Sequence, residues 1–224
     1  MLVKDRMIPN PITAAPETTH KQAAELMREH KIHYLPIVDR QGKLVGIVTE
    51  KDLLAAQPSP ATTLSIYEIH GLLSKLQLRQ IMSHPVHTTI KDCPLEEAAR
   101  LMLNEEIGCL PVMENDKVIG IITDTDIFQA LVTLLGGGEE GARFTLHLPD
   151  RPGTLAQVAQ TVADVGGNII SVTAWHARED GNAYITIKEQ GATFEQLQHA
   201  LNSLTDAEVV DIREKPGYPT LQYG

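Results

Sequence analysis

Two heptapeptides hold the residue types from which chemistry can be built, Gly46-Ile47-Val48-Thr49-Glu50-Lys51-Asp52 and Gly120-Ile121-Ile122-Thr123-Asp124-Thr125-Asp126. Each places a glycine late in an apolar run, a hydroxyl three residues on and a carboxylate three residues further. A short carboxylate can accept hydrogen bonds from both vicinal hydroxyls of a ribose. A helix starting at the threonine would turn unpaired N–H groups and positive dipole toward phosphate oxygens. The same residues also suit plain helix capping, with Thr49 as N-cap and Asp52 as the acid in the first turn. Recurrence of glycine, threonine and aspartate in matching register weighs toward a ligand, since capping does not need all three twice.

The heptapeptides close two copies of a longer segment. Met7 and Met82, Thr13 and Thr88, Leu26 and Leu101, and Leu35 and Leu110 each stand 75 positions apart, and the offset falls to 74 at Gly46 and Gly120. One residue has therefore been lost in the turn at 39–43, where a deletion costs least. Two copies, and no more, imply a paired module with pseudo-twofold symmetry.

The elements that must position the heptapeptides follow from periodicity. Ala23, Ala24, Leu26 and Met27, with Ala98, Ala99, Leu101 and Met102, give each copy a helix with one buried face. Pro94 suits the first turn of the second of these helices. Runs rich in Ile and Val at 32–38 and 44–49, joined by Asp39-Arg40-Gln41-Gly42, read as a hairpin. Each copy thus reads strand, helix, strand, strand, helix. Repeat one spans about 1–56 and repeat two about 78–135. Pro58-Ser59-Pro60 marks a loop between them, and helical spacing of Ile66, Ile69, Leu72, Leu73 and Leu76 predicts a bridging helix at about 64–77.

Gly136-Gly137-Gly138-Glu139-Glu140-Gly141 reads as a linker, and a different module follows at 142–214. Phe144, Leu146 and Leu148 alternate as a strand. Asp150-Arg151-Pro152-Gly153 leads into a helix carrying Leu155, Val158, Ala159 and Val162, which Gly166-Gly167-Asn168 stops. A hairpin through Glu179-Asp180-Gly181-Asn182, a helix near 194–204 and a strand at 208–213 complete the order βαββαβ. The tail at 215–224 reads as loose.

With 29 acidic residues against 19 basic and a formal charge of −10, the chain lacks the clustered cations that phosphate-backbone binding needs. No direct nucleic-acid partner and no membrane span are expected, and the reading is cytoplasmic. Cys93 and Cys109 make neither a disulfide framework nor a metal cluster. His84 and His87 are too isolated for a metal site. Trp175 suits an interface or core position better than a stacking platform. No nucleophilic triad, Walker loop or zincin helix is present, so no catalytic residue, metal or catalytic cofactor is expected.

The segments MIPNPITAAPETTHKQAAELMREHKIHYLPIVD…GKLVGIVTEKDL and MSHPVHTTIKDCPLEEAARLMLNEEIGCLPVMENDKVIGIITDTDI resemble cystathionine-β-synthase (CBS) domains, together about 1–135. The resemblance implies a Bateman module with an AMP-like or other adenosyl ligand as regulator, held by Thr13, Thr49, Asp52, Thr88, Thr123 and Asp126. Several members that bind multiply charged phosphates carry Arg after the motif threonine; Glu50 and Asp124 stand there here, which favours nucleoside, monophosphate or adenosyl ligands. Residues 142–213, through Asp150-Arg151-Pro152-Gly153-Thr154-Leu155 and Gly167-Asn168-Ile169, resemble an ACT domain. That implies a ferredoxin-like fold and an amino-acid site using Asp150, Arg151, Pro152, Gly153 and Asn168; the competing and slightly favoured reading is a plain turn at Asp150–Gly153 and a cap at Asn168.

A CBS pair followed by ACT is the arrangement of acetoin-utilisation-type proteins. The expected fold is therefore α+β and α/β, a tandem CBS pair and then an ACT domain. The resemblance implies a non-enzymatic sensor that forms a homodimer and modulates an unidentified partner protein. A ligand-free interaction module is the competing reading, and an enzyme of acetoin breakdown a more distant one. The copies differ at Lys51 against Thr125 and at His33-Tyr34 against Gly108-Cys109, so the two clefts are expected to be unequal.

Overall fold

Each motif threonine starts a helix. In a computed structural model, which describes residues 1–58, 65–176 and 181–214, strands β2 (Tyr34–Val38) and β3 (Leu44–Thr49) form a hairpin running into helix α2 (Glu50–Ala55). The Asp39 carboxylate tightens the hairpin turn by accepting from the Gln41 and Lys43 N–H groups. Helix α1 (His20–His30) precedes it, capped by Thr19 and Gln22. Buried His20 donates from Nε2 to the Leu53 carbonyl at 2.8 Å, tying α1 to α2. Ala23, Met27, Leu35, Ile37, Val48 and Leu53 form the core beneath them.

Repeat two builds the same unit from β4 (Thr89–Ile90), α4 (Leu95–Asn104), β5 (Cys109–Glu114), β6 (Lys117–Thr123) and α5 (Asp124–Leu134). Pro94 is the N-cap of α4, one place before the expected first turn; its ring fixes φ without closing the helix start, and Leu95 opens the helix. Between the repeats the expected bridging helix is α3 (Ile66–Leu73), followed by a 3₁₀ turn at Leu78–Gln80. It leaves Tyr67 and Leu72 exposed. The loop reading at Ser59-Pro60 lies outside the described residues.

The repeats exchange their leading segments. β1 (Ile8–Pro9), from repeat one, pairs with β6 of repeat two through Ile8 to Ile121, while Ser83, leading repeat two, pairs with Ile47 of β3. The Gly46 and Gly120 positions allow this. A Cβ on Gly46 would lie 2.5 Å from Met82 Sδ, and one on Gly120 would lie 2.7 Å from Met7 Sδ. Both glycines therefore sit mid-strand, holding a methionine of the other repeat.

The C-terminal strands β7 (Ala142–Pro149), β8 (Asn168–His176), β9 (Asn182–Gln190) and β10 (Glu208–Arg213) form one antiparallel sheet in the order β10-β7-β9-β8, with α6 (Thr154–Asp164) and α7 (Phe194–Asn202) between them in sequence. This is the ferredoxin-like arrangement expected of βαββαβ. Strand alternation sends Phe144, Leu146, Leu148, Ile185 and Ile187 into one core with Val158, Val162, Leu197 and Leu201. On the other face His147, Tyr184 and Trp175 stack across three strands, with ring centroids 4.7 Å and 5.3 Å apart. Trp175 remains 46 % exposed on the edge strand.

The glycine-rich segment is not a free tether. The amine of buried Lys188 on β9 donates to the carbonyls of Gly136 and Glu139. Positive φ at Gly136 (66°) and Gly138 (88°) gives the turn the shape that presents them. The chain divides into two compact units, 1–128 and 129–224. No helix among the described residues is long and apolar enough to cross a membrane. The tail reading at 215–224 and the turn residues Glu179 and Asp180 lie outside the described residues.

Candidate functional site

The capping and ligand readings of the motif meet in the same atoms. Thr49 donates to Asp52 Oδ2 from its backbone N–H (2.7 Å) and its hydroxyl (2.8 Å), and Asp52 N–H returns a bond to Thr49 Oγ1 (3.2 Å). Thr123 and Asp126 repeat this geometry at 2.8, 2.7 and 3.3 Å. Both motifs are thus capping boxes, which fix the threonine and aspartate rotamers whatever else they do.

Other donors of the first turns are engaged as well. Glu50 N–H is spent on the His33 carbonyl (3.0 Å) and Asp52 N–H on Thr49. In repeat two, Asp124 N–H goes to the Gly108 carbonyl, Thr125 N–H to the Asp124 carboxylate and Asp126 N–H to Thr123. Few first-turn donors are left for an anion, and α2 is only six residues long.

A cavity of about 1050 Å³ opens at the first motif. Thr49, Glu50, Lys51 and Asp52 form one wall; Ser83, Pro85, Val86 and His87, brought in by the strand exchange, form a second. Ala99, Met102 and Leu103 of α4, with Ile107, give it an apolar side, and Tyr34, Cys109, Asp124 and Phe128 also line it. Of the six residues expected to hold a nucleotide, Thr49 and Asp52 line this cavity. Thr123 and Asp126 do not, Thr13 is half-buried beside the Ala14 to Ile37 bridge, and Thr88 is exposed next to buried Thr89. Strand exchange brings the leading segment of repeat two, Ser83 to His87, to the motif of repeat one.

The walls are acidic. Glu50, Asp52, Glu106 and Asp124 line it together with Lys51, and His33 is paired with Glu50 at 2.8 Å. Burial, and then the Asp124 carboxylate, pushes the Cys109 thiol up to about 12. Burial first, with Asp124 and Cys109 adding to it, also raises the Tyr34 phenol. Periodicity did not mark His87, Leu103, Ile107 or Phe128, because they meet only through tertiary structure; the sequence signal for Tyr34 was its mismatch with Cys109.

In the C-terminal unit the expected amino-acid residues fall into two groups. Asp150 pairs with His176 at 3.0 Å, Arg151 pairs with Asp206, and Gly153, at φ 93°, is the N-cap of α6. Asn168 begins β8 opposite Gln190, at the end of the sheet where β7 begins. The loop at 150–153 follows the other end of β7, roughly 20 Å away at about 3.3 Å per residue. One copy does not bring Asn168 to that loop.

The CBS-domain profile matches residues 3–59 and 78–133. The chain belongs to the CBS-domain family. A TTHA0829-like ACT domain matches 140–213 of this CBS protein. A CBS domain-containing protein of Dictyostelium discoideum is 36 % identical over 141 residues, covering 60 % of this chain and 94 % of that one. L-aspartate semialdehyde sulfurtransferase of Methanocaldococcus jannaschii is 35 % identical over 127 residues, 56 % of this chain but 22 % of the enzyme, so the likeness is confined to a minor part of it. Among solved structures, the acetoin utilization protein AcuB from Vibrio cholerae is 36 % identical, covers 61 % of this chain and 93 % of its own, and superposes with a TM-score of 0.51. The CBS pair of MJ0100 was solved in complex with 5′-methylthioadenosine and S-adenosyl-L-methionine (33 % identical, 58 % of this chain and 95 % of its own, TM-score 0.49). CBSX2 was solved in complex with AMP (34 %, 58 % and 96 %, TM-score 0.48).

Proposed function

We propose that this CBS–ACT protein is a regulatory sensor that binds an adenosine-type metabolite beside Thr49 and Asp52 and transmits its occupancy to a partner protein. The observation that carries this is a large cleft that joins a rigid Thr–Asp pair to an apolar wall. The described hydrogen bonds of the Asp52 carboxylate fall on Oδ2, so Oδ1 is the oxygen for ribose hydroxyls, with a base against Ala99, Met102 and Leu103. Four carboxylates around one lysine disfavour a polyphosphate. A nucleoside, a monophosphate or a positively charged adenosyl compound suits these walls. Regulation without catalysis, in a setting like acetoin utilisation, is part of the same reading.

The test is thermal denaturation with AMP, 5′-methylthioadenosine and S-adenosyl-L-methionine. Ligand at 100 times its dissociation constant adds about 2.7 kcal/mol, several degrees for a chain of this size. GMP is expected to add nothing, and Asp52→Ala to abolish the shift. No shift with any of the three adenosyl compounds refutes the reading.

For the ACT domain, the distance between Asn168 and the 150–153 loop favours a twofold pairing of β8 edges. Antiparallel pairing would bring one copy's Asn168 end toward the other's loop, forming an amino-acid site that exists only in a homodimer. An interaction-only role for this domain draws on the same edge, where Val172 and Trp175 are exposed.

A further inference from the structure

We propose that Asp124 reads the charge of the ligand, so that the cleft at Thr49 and Asp52 prefers an adenosyl compound with a cationic 5′ substituent, a sulfonium, over a neutral or phosphorylated one. Charge preference rests on the nucleotide reading above and adds to it the residue that meets the ligand's 5′ end.

The two repeats share a backbone around the residue after each motif threonine and differ there in charge. An offset of 74 equates Glu50 with Asp124, and one of 75 equates His33 with Gly108. Glu50 N–H donates to the His33 carbonyl and Asp124 N–H to the Gly108 carbonyl, each at 3.0 Å. In repeat one the imidazole then stands against the carboxylate, His33 Nδ1 to Glu50 Oε2 at 2.8 Å. Gly108 has no side chain to do the same for Asp124. Asp124 Oδ1 accepts from the Thr125 N–H (2.7 Å) and hydroxyl (3.3 Å); among the described residues Oδ2 has no hydrogen bond and the carboxylate no ion pair. A Cβ on Gly108 would meet the Tyr34 hydroxyl and lie 3.2 Å from Asp124 Oδ2. That phenol is uncharged, and burial, with the Asp124 carboxylate adding to it, raises its pKa and keeps it so.

The rest of the wall does not supply the missing cation. Lys51 stands in sequence between Glu50 and Asp52, His33 is engaged by Glu50, and His87 lies 3.5 Å from Glu105. Glu106, also lining the cavity, adds a carboxylate for which no ion pair is described. A bound anion would deepen this negative field, whereas a cation relieves it. Asp124 and Glu106 are exposed, so water and salt limit the preference to several-fold.

Equilibrium dialysis on the full chain with S-adenosyl-L-methionine, S-adenosyl-L-homocysteine, 5′-methylthioadenosine and AMP tests this. The first two differ by one methyl group and the sulfonium charge it creates. Wild type is expected to bind S-adenosyl-L-methionine several-fold more tightly than S-adenosyl-L-homocysteine, with AMP weakest of the four. Asp124→Asn, which keeps an oxygen for the Thr125 N–H, is expected to weaken S-adenosyl-L-methionine several-fold, leave 5′-methylthioadenosine unchanged and tighten AMP. Added sodium chloride should shrink the advantage of S-adenosyl-L-methionine in wild type. Equal or tighter binding of S-adenosyl-L-homocysteine or AMP, or an Asp124→Asn that shifts all four ligands alike, overturns the charge preference and leaves the nucleotide reading standing. So does an order of affinities that salt does not change, a series on wild type that decides the point should the variant fail to fold. Absence of binding by all four overturns both.

Discussion

Cys109 shows how burial and charge act together on one side chain. It lines the cleft, yet a thiol pushed up to about 12 by desolvation and by Asp124 is ionised in only about one molecule in ten thousand at pH 8. Iodoacetamide at pH 8 is therefore expected to label native Cys109 slowly and to label it promptly after denaturation in urea, read by mass spectrometry of the peptide. Rapid native labelling would contradict the burial described. Asp124→Asn removes the smaller of the two causes, so it should speed labelling only modestly. The motif residues were legible in sequence as a pattern but not as a choice between roles, because a capping box and a ribose-binding pair call for the same side chains.

At the scale of elements, the motif glycines and the glycine-rich segment both act through what touches them. Gly46→Ala forces Met82 aside at its Cβ (3.2 Å) as well as at its sulfur; overpacking of this kind costs about 1–3 kcal/mol. Chemical denaturation should show that loss, and Gly46→Ala with Met82→Ala should lose less than the sum of the single changes. Lys188 is the counterpart in the C-terminal unit. Lys188→Met leaves the Gly136 and Glu139 carbonyls without this donor, at about 1–3 kcal/mol for the buried Gly136 group, and should make proteolysis at 136–140 several-fold faster. Periodicity located the helices and strands well, since one-faced burial writes itself into the spacing. It read the glycine run as a linker because nothing in positions 136–141 announces a lysine some fifty residues away.

For the whole molecule, the proposal of a sensor predicts linkage. If an amino acid binds the ACT domain and an adenosyl compound the CBS pair, each must change the other's affinity by the same factor, typically worth about 1–3 kcal/mol. Calorimetric titration of one ligand with and without the other reads this directly, and unequal factors in the two directions would rule out a simple coupled equilibrium. The edge strand supplies a second test: Val172→Asp places a charge on an open β-edge, a recognised way of blocking strand pairing. It is expected to lower the mass seen by analytical ultracentrifugation if β8 edges join two copies.

By itself the sequence determined the duplicated module, the second βαββαβ unit and the Thr–Asp pairs, because repeats, alternation and capping are local and survive in linear order. Only the tertiary structure decided which segments share a cleft. Exchange of β1 and the Ser83 segment sets His87 beside the first motif, while Thr13 and Thr88 are not among the residues lining the cavity. It also set Tyr34 against Gly108, a contact between residues 74 positions apart that no local pattern encodes. The two heptapeptides share Gly, Ile, Thr and Asp in register and repeat the same Thr–Asp capping bonds, while the side chains beside the first come in part from the opposite repeat.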